Sequence, residues 1–351
     1  MLQGARSILV VKTHDQLGDF LVAMPALTAL RARYPDARIT LVTRAYLAPL
    51  ARRQVAADAV LVLPERKGGR GLVGFARGIA QLEPDAAFVL NSVSRSRTAD
   101  LVATVSGAGV VVGRSAVGAG PVGEDAPLDP ALSALVPSGR DPVYDLDVPV
   151  GRGSVHQVDR LLDLVRVTGA PIAPPPRPAL ALGQGERAAG VIALAGDTLE
   201  SAPRIGLHPA AANALKCWPV DRFAELGARL ARGGTALFVF DTPREPGPAR
   251  ALLAGLASRG VPAMPVAAGS LDAFVPRVAA LDLMICNDSG VMHIAAALGV
   301  ATLSFHSLGR PEEWAPRNET AIALHAEPIA GIVVDDAERA ARRLLSVSSR
   351  E

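Results

Sequence analysis

The chain has 351 residues, of which half are apolar, and its formal net charge is +2. This length suits two domains, and the apolar content is sufficient to fill both of their cores. The small net charge and an aromatic content of 4% argue against a nucleic-acid-binding protein. Cys217 and Cys286 are the only cysteines and form no C-x-x-C pair, which argues against a disulfide framework or a structural zinc site.

No segment of the sequence predicts a membrane span or a secretion signal. The longest apolar runs, at 59–63 and 86–90, have the length of a strand, far short of the ~20 residues that cross a bilayer. A strand pattern begins at Ser7, with no signal-peptide pattern before it. We therefore expect a soluble, cytoplasmic protein whose contact with a membrane, at the inner face, is at most peripheral.

The first half alternates short apolar strands with amphipathic helices, as in a parallel sheet covered by helices. Strands are predicted at 7–11, 38–42, 59–63, 86–90 and 110–112. Apolar residues at helical spacing predict a first helix between the first two strands, and Pro25 must begin or kink it. A helix at 156–168 closes this half, and Gly169 can end it.

A proline-rich stretch at 171–185 is the best candidate for a linker, and beyond it the alternation restarts. Strands are predicted at 204–207, 236–240, 283–286 and 302–305. Helices are predicted at 221–231, 245–257, 271–281 and 292–298. The sequence assigns a final helix, at 335–345, to neither half.

These patterns predict an α/β fold of two doubly wound domains. We place a Rossmann-like N-terminal domain at 1–170, a linker region at 171–203 and a Rossmann-like C-terminal domain at 204–351. Sheets of this kind bind ligands at the carboxyl ends of their strands. Two such domains facing each other would form a cleft there, and the candidate site residues follow predicted strands.

Asp288, Ser289 and Gly290 follow one predicted strand and open a helix. The N–H groups and the positive end of that helix can bind an anion. Gly290 would let a diphosphate approach the backbone closely, and Asp288 could accept hydrogen bonds from sugar hydroxyls. Taken alone, the segment is more simply an ordinary helix cap.

Lys216 follows the first predicted strand of the second half and precedes Trp218 and Pro219. A lysine beside a loop–helix junction can neutralise a leaving diphosphate. Trp218 and Pro219 could wall this loop and start the next helix. The alternative is that Lys216 is an exposed surface charge.

Gly18 and Asp19 occupy a strand–helix junction in the first half. A carboxylate at this position can accept a proton from an acceptor hydroxyl, although it could equally be a helix N-cap. His14, four residues before Gly18, is a second candidate base, but a lone loop histidine is usually incidental.

Arg66, Lys67 and Arg70 form a basic cluster, and Arg95 and Arg97 lie close together as well. Such clusters are more often solvated surface than binding sites. The functional alternative, which we retain for the first cluster, is a docking site for an anionic acceptor.

Two other motifs are set aside. G-x-G-x-x-G occurs at 69–74 and 118–123. The second does not precede a helix, and after the first the next strand ends at Asn91 where a dinucleotide site needs an acidic residue. Asp145 and Asp147 imitate a D-x-D metal motif, but alternating acidic residues on a strand explain them, so we assign no metal.

Taken in order, the segments resemble glycosyltransferase family 9, the bacterial heptosyltransferases of the lipopolysaccharide core. The resemblance spans roughly residues 7–317. The matching segments are Ile8-Leu9-Val10-Val11-Lys12 through Leu17-Gly18-Asp19, Met24-Pro25-Ala26-Leu27, Tyr34-Pro35-Asp36-Ala37, His156-Gln157-Val158-Asp159-Arg160, Lys216-Cys217-Trp218-Pro219, Asn287-Asp288-Ser289-Gly290 through Met292-His293, Ala295-Ala296-Ala297-Leu298-Gly299 and Trp314-Ala315-Pro316-Arg317.

The resemblance implies a GT-B fold and inverting, metal-independent transfer without a cofactor, typically from ADP-heptose to a glycan or lipid-linked acceptor. Asp19 would then be the general base, Lys216 would hold the donor diphosphate, and Asp288 would bind the sugar. Backbone amides of the following loop would bind phosphate. The other implied positions are Ser289, Gly290, Met292 and His293 for the donor, Glu245 for the ribose, and Arg66, Lys67 and Arg70 for the acceptor.

Departures from the family pattern leave the donor open. Ala211 and Ala212 replace hydroxyl or glycine positions, so Asn213 or the backbone must bind phosphate instead, and Phe305–Gly309 replaces the usual F-G-P-T turn. One alternative is a relative that uses another nucleotide sugar for capsule, O-antigen or protein glycosylation. A second alternative is a non-catalytic relative that binds a nucleotide sugar, although it would not need to retain Asp19 and Lys216.

Overall fold

A computed structural model describes residues 2–14, 16–64, 69–115, 142–195, 202–242 and 246–348. The chain divides into two compact units, Met1–Pro178 and Ala179–Glu351. The division falls inside the predicted linker region, and each unit is built around its own parallel sheet.

The described residues of the first unit form a six-stranded sheet in which neighbouring strands are parallel. Its strands are β1 (Ser7–Val11), β2 (Arg38–Arg44), β3 (Ala59–Leu63), β4 (Ala86–Val89), β5 (Val111–Gly113) and β6 (Leu146–Asp147). Its helices are α1 (Leu17–Arg33), α2 (Ala48–Ala51), α3 (Gly69–Ala80), α4 (Arg97–Val105) and α5 (Gln157–Arg166). The strand order is β3-β2-β1-β4-β5-β6. The chain adds β2 and β3 on one side of β1 and then adds β4, β5 and β6 on the other side. The reversal point of this sheet therefore lies between β1 and β4.

Helix α1 is buried along most of its length because it lies between the sheet and α5. Phe20, Leu21 and Met24 are almost completely shielded from solvent. Pro25 lies inside the helix, so the alternative in which it begins the helix is wrong. Beyond α5, Gly169 adopts φ +72°, a left-handed conformation that glycine allows without strain.

The second unit repeats this architecture. Its strands are β7 (Arg204–His208), β8 (Ala236–Phe240), β9 (Met264–Val266), β10 (Leu283–Asn287), β11 (Ala301–His306) and β12 (Ala321–His325). Its helices are α6 (Glu186–Ala195), α7 (Val220–Ala231), α8 (Gly247–Ala257), α9 (Leu271–Ala279), α10 (Gly290–Ala297), α11 (Pro311–Trp314) and α12 (Val334–Ser348). The parallel order β12-β11-β10-β7-β8-β9 places the reversal between β7 and β10.

Two helices of the second unit bear on the predicted domain boundaries: one lies where a linker was predicted, and the other is the final helix, which the sequence assigned to neither half. Helix α6 lies within the segment predicted as a linker, and it packs on α9 so closely that a Cβ on Gly190 would overlap the Pro276 carbonyl. The linker is therefore shorter than 171–203. The final helix, α12, packs on α7 and the sheet of the second unit, where Ala337, Ala341 and Leu344 join the core.

Among the helices of the described ranges, none combines the length and the apolar character needed to cross a bilayer.

Candidate active site

In the first unit, Asp19 lies at the point where the sheet reverses its growth. It follows β1 in the first turn of α1, directly after Gly18, and is only 4% exposed. Ser92, which follows the neighbouring strand β4, donates its hydroxyl proton to Asp19 Oδ1 at 3.1 Å. The carboxylate predicted as the base is therefore held at the carboxyl edge of the sheet, where ligands of doubly wound folds bind.

Two serines in the loop after β4 form hydrogen bonds with the loop after β1. Ser94 Oγ lies 3.1 Å from His14 Nε2, and Ser96 Oγ lies 2.9 Å from Thr13 Oγ1. The structure thus brings His14 and Asp19 to the same edge of the sheet. The contact with Ser94 orients the His14 ring, and the role of His14 as a second base stays a prediction.

Lys12 also lies at this edge; it belongs to the first segment that matches the family, but the sequence analysis gave it no role. It directly follows β1, is 1% exposed, and donates from Nζ to the Leu90 carbonyl at 3.0 Å. Burial lowers the pKa of Lys12, and the negative charge of Asp19 acts in the opposite direction. The sequence feature that could have identified Lys12 is its position at the end of an otherwise apolar strand.

The predicted acceptor cluster remains a prediction. Arg66 and Lys67 lie outside the described residues, and Arg70 lies in the first turn of α3 with its side chain undescribed. Of the other arginine pair, Arg95 forms an ion pair with Asp100 at 2.6 Å, so this arginine is engaged within the protein.

In the second unit, Lys216 and Asp288 form an ion pair at the reversal point of the sheet. Lys216 follows β7, Asp288 follows the neighbouring β10, and Lys216 Nζ donates to Asp288 Oδ2 at 2.6 Å. The lysine side chain is 31% exposed and the aspartate side chain 10%. Two residues separated by 72 positions, each predicted to contact the donor, are therefore in direct contact.

Asn287 ties together the two loops that carry this pair. Its Oδ1 accepts from the Trp218 amide at 2.9 Å, and its Nδ2 donates to the Pro209 carbonyl at 2.7 Å. Trp218 is fully buried and packs on Phe305. Because Asn287 precedes Asp288 and Trp218 follows the Lys216 loop, these contacts fix the spacing of the ion pair.

The short 3₁₀ turn that ends at Lys216 is held from both sides. Asn213 caps it, with Oδ1 accepting from the Leu215 amide at 3.0 Å. Ser307 Oγ donates to the Leu215 carbonyl at 2.8 Å. The side-chain oxygen of Asn213 therefore orients the Lys216 turn, a structural role that sequence reasoning did not assign to it.

Ser289 and Gly290 begin α10 as predicted. Ser289 occupies the N-cap position without a side-chain cap bond, and its buried hydroxyl has no hydrogen-bond partner among the described residues. The hydroxyl and the helix N-terminus together offer hydrogen-bonding capacity to an anion. The Met292 side chain is buried in the core and its amide bonds to the Ser289 carbonyl, and its part in the donor site stays a prediction.

His293 is buried, with its ring centroid 6.4 Å from that of Trp314, and its donor role stays a prediction. Glu245, predicted to contact the ribose, lies outside the described residues. His306 is the last residue of β11, and its Nε2 forms a hydrogen bond with Ser304 Oγ. Burial lowers the pKa of His306 to about 4. It is thus neutral at pH 7.

In the part of the chain that the structure describes, no group of three or more His, Cys, Asp and Glu side chains is placed to hold a metal ion.

Gly309 touches the ion pair directly. A Cβ at this position would lie 2.8 Å from Asp288 Oδ2 and 3.6 Å from Lys216 Nζ. The first distance is too short for a stable contact, and the atom that must move is the end of a side chain. We therefore expect Gly309→Ala to displace the ion pair, leave the fold intact, and weaken ADP binding about tenfold.

Calorimetric titration with ADP and thermal unfolding, each carried out on the wild type and on Gly309→Ala, test this expectation. Gly153→Ala is the matched control, because a Cβ there meets no atom within 4 Å. Unchanged ADP affinity in Gly309→Ala would show that the precise position of the pair does not matter for nucleotide binding.

Comparison with known proteins places these features in a family. The sequence profile of glycosyltransferase family 9 (heptosyltransferase) matches residues 143–332, more than half of the chain. The chain belongs to glycosyltransferase family 9. A search of curated protein sequences gives no match.

Solved structures agree with the family 9 assignment. The E. coli ADP-heptose lipopolysaccharide heptosyltransferase II has a TM-score of 0.78 at 21% identity, covering 98% of this chain and 99% of that one. A family 9 glycosyltransferase from Veillonella parvula has a TM-score of 0.81 at 19% identity, covering 97% of each chain. E. coli heptosyltransferase WaaC with ADP has a TM-score of 0.73 at 18% identity, covering 96% of this chain and 99% of that one.

At these identities the likeness is one of fold, and it confirms the predicted GT-B class. Family membership makes the chain a heptosyltransferase-type glycosyltransferase that uses a nucleotide-sugar donor. The prediction that it is an enzyme is confirmed.

Proposed function

We propose that this family 9 glycosyltransferase moves a heptose from ADP-heptose to a hydroxyl group of a lipopolysaccharide-core or other glycan acceptor, with inversion and without a metal ion. The observation that carries the proposal is the pairing of Lys216 with Asp288 at the reversal point of the second sheet. A buried carboxylate, Asp19, occupies the equivalent position in the first. These positions suit a phosphate pocket and a proton acceptor.

In the proposed reaction, Asp19 accepts the proton of the acceptor hydroxyl. The hydroxyl oxygen then forms a bond to the anomeric carbon on the face opposite the diphosphate. The bond from that carbon to the diphosphate oxygen breaks, and its electron pair leaves with ADP. One displacement inverts the anomeric configuration, and the Ser92 hydroxyl, 3.1 Å from Asp19 Oδ1, orients the carboxylate for this step.

The second unit would stabilise the charge on the leaving ADP. Lys216 is partly exposed and already oriented by Asp288. Its ammonium can therefore interact with the diphosphate with little further loss of side-chain conformational entropy. The N-terminus of α10 adds hydrogen-bond donors, and so does the Ser289 hydroxyl, which has no partner among the described residues. Groups oriented before the reaction stabilise developing charge most effectively.

A thermal-shift screen tests the donor. The protein is heated with ADP, UDP, GDP and their sugars, and a ligand at about 100 times its Kd should stabilise the folded state by about 2.7 kcal/mol. We expect ADP and ADP-heptose to raise the melting temperature most. A preference for UDP or GDP would contradict ADP-heptose as donor, and no response to any nucleotide would contradict the phosphate pocket.

One observation favours the alternative that the donor is a nucleotide sugar other than ADP-heptose. The turn Phe305–Gly309 lies against the Lys216–Asp288 pair and departs from the usual family pattern. A changed turn next to the pair is compatible with another nucleotide sugar, used for capsule, O-antigen or protein glycosylation. The same nucleotide panel separates the two proposals.

A glycan acceptor of this kind is often lipid-linked. We therefore propose that the protein works in the cytoplasm, with peripheral contact at the inner face of the cytoplasmic membrane. Sedimentation with vesicles that carry the acceptor, compared with vesicles that lack it, tests this part of the proposal.

A further inference from the structure

We propose that Ser307 and His325 are positioning residues for Lys216. His325 holds the backbone of Ser307, and the Ser307 hydroxyl holds the turn that ends at Lys216, so that the ammonium group is kept where the donor diphosphate binds. This inference rests on the proposed function, because the two residues have a part in donor binding only if Lys216 contacts the diphosphate. It extends the site to β12, at the edge of the second sheet.

The turn that carries Lys216 depends on polar contacts for its position. It is a single 3₁₀ turn, Ala214–Lys216, and none of its residues is buried. Leu215, at its centre, is 66% exposed. The internal hydrogen bonds of so short a 3₁₀ turn have poor geometry, and none of its own side chains anchors it in the core. Hydrogen bonds from neighbouring segments therefore set its position.

Ser307 supplies such a hydrogen bond from a fixed place in the fold. It directly follows β11, is 4% exposed, and donates from Oγ to the Leu215 carbonyl at 2.8 Å. Two residues later, a Cβ on Gly309 would lie 3.6 Å from Lys216 Nζ. The segment after β11 therefore meets the Lys216 loop twice, at the backbone just before the lysine and at its ammonium group.

His325 holds Ser307 from the side of the edge strand. It is the last residue of β12 and pairs in register with the last residue of β11. Its Nε2 donates to the Ser307 carbonyl at 2.9 Å, which fixes the chain just beyond the point where β11 ends. The contacts thus run from His325 to Ser307 and on to Leu215, the residue before Lys216.

The Ser307 contact belongs to a part of the site in which this chain departs from the family pattern. In the usual F-G-P-T turn a proline stands at the position of Ser307, and proline has no side-chain donor. In the loop before Lys216, Ala211 and Ala212 replace hydroxyl or glycine positions. With fewer side-chain donors in that loop, a larger share of the contact with the diphosphate falls on Lys216, and its position matters more.

The expected benefit is in binding. A turn that is ordered before the donor arrives loses less conformational entropy when the donor binds. Neither Ser307 nor His325 has to touch the nucleotide for this effect. Both act through Lys216, and that dependence is what an experiment can measure.

A double-mutant cycle tests this dependence. ADP is titrated calorimetrically into the wild type, Ser307→Ala, Lys216→Met and the double variant. Ser307→Ala should weaken ADP binding about two- to tenfold in the wild-type background, the size expected for one neutral hydrogen bond. In the Lys216→Met background the same change should alter the Kd by less than about twofold, because the group that Ser307 positions is gone. A merely structural effect on the pocket would appear equally in both backgrounds.

Thr302→Val is the matched control. Thr302 lies near the start of the same strand, is buried, and donates from Oγ1 to the Val300 carbonyl at 2.9 Å. Its replacement also removes one buried hydroxyl hydrogen bond from β11, so thermal stability should fall while ADP affinity stays unchanged. The proposal is overturned if Thr302→Val loses as much ADP affinity as Ser307→Ala, if Ser307→Ala loses none, or if its effect is equal in both Lys216 backgrounds.

His325 provides a second test that holds even if Ser307→Ala does not fold, because His325 is exposed at the end of an edge strand. His325→Leu removes the donor to the Ser307 carbonyl and should weaken ADP binding about threefold, but not in the Lys216→Met background. His325→Gln offers an amide N–H at a similar reach and should restore most of the affinity. Equal affinity in the wild type and His325→Leu would refute the role of His325. An unchanged Kd in Lys216→Met would instead refute the proposed contact of Lys216 with the diphosphate, so the two failures are distinguishable.

Discussion

Asp19→Asn should lower kcat for heptosyl transfer by about 10²–10⁴-fold, the usual contribution of a general base. The amide is nearly the same size as the carboxylate, so the buried position is filled. It cannot take up the acceptor proton at neutral pH. Affinity for ADP should stay near that of the wild type, because the proposed diphosphate contacts come from Lys216 and the N-terminus of α10. Steady-state kinetics and calorimetry on one preparation measure both quantities.

Asp163→Asn is the matched control for that experiment. Asp163 is another buried carboxylate of the first unit, 4% exposed, and its Oδ2 accepts from the Gly151 amide at 2.8 Å. The asparagine keeps an oxygen that can accept from Gly151, but it removes the negative charge that faces Arg166 and the buried Arg114. This change does not touch the proposed base, so stability should fall and kcat should not. If Asp19→Asn retained full kcat, Asp19 would not be the base.

The longer strands of both sheets were predictable because β-branched and other apolar residues form runs bounded by turns. The short strands were harder to predict. β9 has three residues and includes Pro265, which removes one ladder donor, and proline is tolerated only at an edge. β12 lies at the other edge and is only half-buried, and its four apolar residues at 321–324 were not assigned to a strand. Helix α6 was missed because the proline-rich segment before it is typical of a linker.

The candidate site was predictable in part for a different reason. Asp19, Lys216 and Asp288 each follow a strand, and parallel strands end at one edge of a sheet, so local patterns identify such positions. Which of these ends are neighbours depends on strand order, which no local pattern contains. The Ser92 contact with Asp19 spans 73 positions, and the Asn287 contact with Trp218 spans 69.

Lys216→Met should weaken ADP binding by about 10–150-fold, since a hydrogen bond to a charged group contributes about 1.5–3 kcal/mol. The loss has two sources. The diphosphate loses a cation, and Asp288, whose side chain is only 10% exposed, loses the partner that balances its charge and would then repel the nucleotide. Calorimetric titration with ADP measures the sum, and an unchanged Kd would contradict the role of Lys216.

A double-mutant cycle with Asp288→Asn separates the two sources. In Lys216→Met/Asp288→Asn the repelling carboxylate is gone, so part of the lost ADP affinity should return. Asp288→Asn alone should bind ADP at least as tightly as the wild type, because Lys216 is then released from the 2.6 Å ion pair. Its effect should fall instead on ADP-heptose, if Asp288 accepts hydrogen bonds from the sugar. Strictly additive effects would mean that the ion pair seen in the free protein has no influence on the donor, and that Lys216 acts on the diphosphate independently of Asp288.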